Sequence, residues 1–226
     1  MISFLVTRLL FLGVGFGGRR LPAHDAIDGL GEHDHVIAPA AHRRAVGVYA
    51  GGTNPRIAAV VSNGGWGHGE RKFGGQHRTP EAWTKFTKML EEGRAYRART
   101  GQSLMVPRYD IVPIPNHVRE NLERQKVGML APNSVEMFPA ETAQSMFDFR
   151  AEEVVGKIAP RPLLLIHAAN DSVTPTEQSI EMFKHAGQPA ELHLFSGLDH
   201  FLFAENSMRV WSLLRHWLDL YFPAAK

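Results

Sequence analysis

The chain predicts an α/β fold, a mostly parallel sheet with helices on both faces. Three observations carry this. Two short, continuous apolar runs, Ile57-Ala58-Ala59-Val60-Val61 and Leu163-Leu164-Leu165-Ile166, have the composition of strands buried on both faces. Thr79-Pro80-Glu81 and Thr174-Pro175-Thr176-Glu177 are helix openings, with a threonine placed to cap and a proline in the first turn. Toward the C-terminus, strand, helix, strand and helix alternate at lengths that imply right-handed crossovers between parallel strands.

The elements follow in order. The strand over Ile57–Val61 is bounded by turn signals, Asn54-Pro55 before it and Asn63-Gly64-Gly65 after it. The helix opened by Thr79 carries Trp83, Phe86, Met89 and Leu90 at helical spacing, as core or lid packing, and ends near Thr100-Gly101. Arg94, Arg97 and Arg99 form its solvated face. Residues 102–150 are broken by Pro107, Pro113, Pro115, Pro132 and Pro139, which predicts short helices and loops, as in a lid. Leu163–His167 is a strand. The helix after Thr174 ends at Ala186-Gly187, with Gly187 as the C-cap. Glu191–Phe195 is the next strand. Ser207–Tyr221 is an amphipathic helix with Met208, Trp211, Leu214, Leu218 and Tyr221 on one stripe.

The first fifty residues read differently. An apolar run, Ile2–Phe16, is interrupted by Arg8 and is too short for a stable membrane span. It reads as a strand or as a signal or anchor. Its charge lies inside the run, and Leu21-Pro22-Ala23-His24 is a poor cleavage site. A cytoplasmic location is favoured; a secreted or periplasmic one goes with the signal reading. Gly13-Val14-Gly15-Phe16-Gly17-Gly18 has dinucleotide-loop spacing, but Arg19-Arg20-Leu21-Pro22 breaks the helix that such a loop needs. His33, His35 and His42, with Asp34, suggest a divalent-metal cluster, the basis of a rival reading as a metal-dependent hydrolase; solvated polar residues are the favoured reading.

With 226 residues, 44% apolar and 21% charged, the chain can bury one full core. A balance of 25 basic against 23 acidic residues, net +2, gives no field for nucleic acid. The absence of cysteine excludes disulfides, thiolate catalysis and Cys-ligated zinc. No feature of the sequence specifies an oligomeric state.

Asp171 lies just past the strand ending at His167, and His200 just past the strand ending at Phe195. Sites in open parallel sheets form at the carboxyl ends of strands, so both project from one edge. An acid there fixes the tautomer of a histidine, which then serves as general base. The order acid, then histidine, is that of a nucleophile–acid–histidine triad. Ser62 follows a strand at the same edge and is a candidate substitute nucleophile, but nothing around it has elbow geometry, so a polar strand-end residue is the favoured reading; Asn63, Trp66 and His68 are candidates to line a pocket.

Residues from about 55 to 226 resemble the α/β-hydrolase superfamily, near its dienelactone-hydrolase, acetyl-xylan-esterase and CocE-like branches. The residues that carry the resemblance are Asn54-Pro55-Arg56-Ile57-Ala58-Ala59-Val60-Val61, Ala159-Pro160-Arg161-Pro162-Leu163-Leu164-Leu165-Ile166-His167, Asn170-Asp171-Ser172-Val173-Thr174-Pro175 and Gly197-Leu198-Asp199-His200. The resemblance implies that Asp171 is the triad acid and His200 the triad histidine, and that the substrate is a small carboxylic ester or lactone, with no cofactor. It implies a truncated or divergent α/β-hydrolase fold over residues 56–226, with a small lid at about 66–150, behind a divergent segment 1–55. The chain departs from the pattern at the nucleophile, since no Gly-x-Ser-x-Gly occurs. Gly47-Val48-Tyr49-Ala50-Gly51 copies the glycine spacing with Tyr49 in place of serine, and its position resembles the end of the helix after an elbow. Asp25–Asp34 resembles the helix before the nucleophile strand. The expected activity is ester or lactone hydrolysis with an unidentified nucleophile or activated water; the alternative is an inactive remnant that binds ligands.

Overall fold

The computed structural model describes residues 9–11, 43–125, 135–203 and 207–223. A short strand, β1 (Leu9–Phe11), a helix, α1 (Arg43–Thr53), and a strand, β2 (Ala59–Asn63), come first. An insertion follows, of helices α2 (Gly69–Gln76) and α3 (Pro80–Thr100), strand β3 (Met105–Pro107), helices α4 (Arg108–Ile111) and α5 (Asn116–Gln125), strand β4 (Met137–Pro139) and helix α6 (Ala140–Phe147). Two 3-10 turns, Ala151–Glu153 and Val155–Ile158, lead into β5 (Leu163–Ala168), then α7 (Glu177–His185), β6 (Ala190–Phe195) and α8 (Met208–Tyr221).

Strands β1, β2, β5 and β6 form one parallel sheet in that spatial order, and β3 pairs antiparallel with β4. Asn63 stands opposite Ile166, and Ala168 opposite Phe195, so β2, β5 and β6 finish along one edge. Side chains alternate across the pleat. Ala59, Val61, Leu164 and Ile166 pack against Leu214 and Trp217 of α8. Val60, Leu163 and Leu165 pack against Val48 of α1, Ile158 and Met182 of α7. Helices therefore cover both faces, which is why these strands are continuously apolar. The insertion has its own core around Phe73, Phe86, Leu90 and Met146, with Phe73 stacked on Phe86 at 4.6 Å.

Local chemistry sets the element ends. The Thr79 hydroxyl accepts the Ala82 N–H at 3.1 Å, and α3 stops at Gly101, whose φ of 72° is the left-handed conformation that glycine adopts without strain. Trp83, Phe86, Met89 and Leu90 pack into the insertion core, and Arg94, Arg97 and Arg99 are exposed, as expected. Arg161 ties α1 to the sheet. Its guanidinium donates to the carbonyls of Gly51 (2.7 Å), Asn54 (3.0 Å) and Ile57 (2.8 Å). Gly51 lets α1 approach, because a Cβ there would collide with Val60 of β2.

Three expectations are corrected. β2 begins at Ala59 rather than Ile57, because the Ile57 carbonyl is taken by Arg161. Gly187 is not the cap of α7; Ala186 caps the helix in extended conformation (φ −73°, ψ 140°), and Gly187 lies too close to Ala159 for a side chain. The α8 stripe is rotated: Val210, Leu214 and Trp217 are buried, while Met208 is 72% exposed. Seating the indole of Trp217, the largest fully buried side chain among the described residues, decides that rotation. Tyr49 lies inside α1, in keeping with the helical reading of its segment, with its ring 5.4 Å from Phe149. Among the described residues no helix is long and apolar enough to cross a membrane.

Candidate active site

Asp171 and His200 meet at the carboxyl edge of the sheet. The loop after β5 carries Asp171, and the loop after β6, turned by Gly197 at φ 73°, carries His200. His200 Nδ1 lies 2.8 Å from Asp171 Oδ2, with the Asp171 side chain fully buried and that of His200 12% exposed. The other oxygen, Asp171 Oδ1, accepts the backbone N–H groups of Val173 (2.8 Å) and Thr174 (2.7 Å). Burial opposes the charge on Asp171, but the facing His200 imidazole and the hydrogen bonds from His167 and His200 overcome it and hold the carboxyl well below the usual carboxylate range. An ionised Asp171 accepts from Nδ1–H of His200, which leaves Nε2 of the neutral ring as the basic atom.

His167 is a partner that sequence reasoning missed. Its Nε2 lies 3.1 Å from Asp171 Oδ2 and 3.1 Å from the Thr174 carbonyl, both acceptors, so Nε2 carries a proton. Its Nδ1 is 2.6 Å from the Ser179 hydroxyl of α7. The available signal was one polar residue near the end of an otherwise apolar strand. Asp199 was also passed over. Its Oδ1 accepts the N–H groups of Ser172 and His200, each at 2.8 Å. Its Oδ2 lies 2.6 Å from the Ser172 hydroxyl and 3.2 Å from His117 Nε2 on α5.

The remaining candidates fall elsewhere. Ser62 is fully buried within β2, opposite Leu165, rather than beyond the strand. Asn63 ends β2 with its side-chain amide buried and without a hydrogen-bond partner among the described residues. Trp66 packs into the insertion core, and His68 caps α2 by accepting the Arg71 N–H at 3.3 Å, so neither is free to serve chiefly as a pocket wall. The glycine-rich run 13–18, the segment 25–34 and His33, His35 and His42 lie outside the described residues. Among the described residues no group of three or more His, Asp or Glu is placed to hold a metal ion. A cavity of about 410 Å³ opens between the acid loop (Asp171, Ser172, Val173) and the insertion (Gln76, Ile114).

No protein-family model and no curated protein matches the sequence. Solved structures do match. The α/β hydrolase GrgF of Penicillium sp. sh18 is similar with a TM-score of 0.58 at 22% identity, over 78% of this chain and 59% of that one. A hypothetical protein of Pseudomonas aeruginosa, PA2218, gives 0.60 at 20%, over 79% and 58%. The chain has the α/β-hydrolase fold. A monoacylglycerol lipase of Paleococcus ferrophilus gives 0.54 at 20%, over 77% and 63%. The chain thus spans about three-fifths of the length of the hydrolase-fold structures it matches. In that fold a nucleophile stands on a strand-to-helix turn ahead of the acid and histidine. The corresponding connection here, residues 12–42 between β1 and α1, lies outside the described residues, and its sequence has no Ser, Thr, Cys or Tyr.

Proposed function

We propose that the chain hydrolyses a small carboxylic ester or lactone, with His200 as general base and Asp171 as its orienting acid. The observation that carries this is the 2.8 Å contact between His200 Nδ1 and a buried Asp171 carboxylate at the carboxyl edge of the sheet. With Nδ1–H committed to Asp171, Nε2 takes a proton from the attacking oxygen as its bond to the acyl carbon forms. Asp171 stabilises the resulting imidazolium. The same Nε2–H then protonates the leaving alkoxide as the acyl C–O bond breaks. With Ser62 sealed inside β2, Tyr49 inside α1 and no hydroxyl or thiol side chain in residues 12–42, the attacking oxygen is a bound water or a hydroxyl from another segment. A water mechanism forgoes the acyl-enzyme. The cavity beside the acid loop has room for a small acyl or lactone group.

The same composition supports a second reading, a remnant that binds ligands without turnover. Hydrolysis of short p-nitrophenyl esters and an acyl lactone separates the two. For a working pair, turnover survives EDTA, and His200→Ala or Asp171→Asn lowers kcat on the order of 10³-fold. A wild type without turnover, or turnover indifferent to both substitutions, overturns the hydrolase reading. Labelling by a serine-directed phosphonate distinguishes a hydroxyl nucleophile from water.

A further inference from the structure

We infer that Asp199 is a positioning residue that sets the geometry of the His200–Asp171 pair by bracing three segments on one carboxylate. The inference rests on the reading of His200 and Asp171 as the working pair. Ser172 directly follows the acid, and Asp199 directly precedes the histidine. Asp199 Oδ1 holds the backbone N–H of Ser172 and that of His200, each at 2.8 Å, so the two loops are pinned to one atom next to their functional side chains. Oδ2 accepts the Ser172 hydroxyl at 2.6 Å, which stops the carboxylate from rotating, and meets His117 of α5 at 3.2 Å. Burial opposes its charge, and the bonds from Ser172, His200 and His117 hold its carboxyl below the usual range.

A carboxylate that merely closed its own turn would need only the His200 N–H. The two bonds to Ser172 cross from one strand-end loop to another, where no sheet ladder fixes their separation. A small apolar cluster repeats the arrangement beside it. Val173 of the acid loop and Phe201 of the histidine loop pack with Ile114 and Val118 of the insertion, and the Phe201 ring stands edge-on to His200 at 5.0 Å. The polar brace and the apolar cluster join the same three segments. Catalytic geometry tolerates little error, since a displacement of about 1 Å costs on the order of a hundredfold in rate.

The test reads the pair itself rather than turnover alone. In proton NMR, the His200 Nδ1–H bonded to Asp171 gives a downfield imidazole resonance, assigned by its loss in His200→Gln. Asp199→Ala is expected to shift it upfield and broaden it by exchange with water, with an unchanged far-UV circular dichroism spectrum. Asp199→Asn, whose carbonyl oxygen can still accept both backbone N–H groups, is expected to retain it. Ser172→Ala, which severs only the Oδ2 arm, is expected to give a smaller upfield shift, and carries the test should Asp199→Ala not fold. In turnover, Asp199→Ala lowers kcat on the order of tenfold or more with KM little changed. A resonance unmoved in both Asp199→Ala and Ser172→Ala overturns the brace, and so does a wild type that lacks it. An Asp199-dependent resonance in a protein without esterase activity leaves the brace standing and removes the hydrolase reading.

Discussion

Four donors converge on the Asp171 carboxylate: two backbone N–H groups on one oxygen, and His200 and His167 on the other. A buried carboxylate survives as an anion only when its lone pairs are met this way. His167→Leu removes one donor and strips Ser179 of its partner, so it should cost about 2–3 kcal/mol of stability, read from the urea midpoint. His167→Gln, which can donate to Asp171, should recover part of that loss. Lys72 is the opposite case. Its Nζ is buried near the rings of Phe73 (3.9 Å) and Trp66 (4.8 Å) and donates to Gln76 Oε1 at 2.8 Å. The rings favour the ammonium, but they do not replace its hydration, and burial pushes the amine down to about 7. The folded state then binds fewer protons than the unfolded state between pH 7 and the ordinary lysine value of about 10.4, so Lys72 makes stability rise with pH over that window. The penalty is full below pH 7. Lys72→Met should flatten this part of the profile and add on the order of 3 kcal/mol at pH 6, measured by urea unfolding across pH.

At the scale of elements, Arg161 shows how one side chain joins several. It binds carbonyls at the end of α1, in the turn before β2 and in the 3-10 segment before β5. Arg161→Lys keeps the charge but cannot present a planar fork to separated carbonyls, and should lose about 2 kcal/mol of stability; Arg161→Met should lose more. Urea midpoints check both. The elements themselves were largely legible. The cap and stop of α3 were readable because Thr79, Pro80 and Gly101 act on their own backbone. The α7 stop was misread at Gly187, since that glycine serves a contact with Ala159, far away in sequence. The α8 face was misread because apolar residues lie almost all round the helix, and the pocket for Trp217 selects among them.

Across the whole molecule, two cores flank the sheet and one fills the insertion, and a small fourth cluster joins the acid loop, the histidine loop and the insertion through Val173, Phe201, Ile114 and Val118. The sheet amides are held between helices on both faces, whereas Asn116, His117 and Glu120 at the start of α5 are exposed, and that end is held near the site by Ile114, Val118 and the His117–Asp199 contact. Native-state hydrogen exchange should therefore show Leu163–Ala168 opening only with global unfolding, and α5 opening several kcal/mol below that limit. Equal protection of the two would refute this ordering.

The sequence by itself determined strands β2, β5 and β6 to within two residues, both ends of α3 and the placement of Asp171 and His200 past two strand ends, but not the β3–β4 pair. Those features follow from strand periodicity, capping and turn chemistry, which act within a few residues. Only the tertiary structure decided that Asp171 also faces His167, that Asp199 bonds across to Ser172, that Ser62 is sealed inside β2 and that Lys72 is buried. Each depends on how the elements pack, because burial and partner choice are properties of the packed molecule rather than of any local stretch of chain.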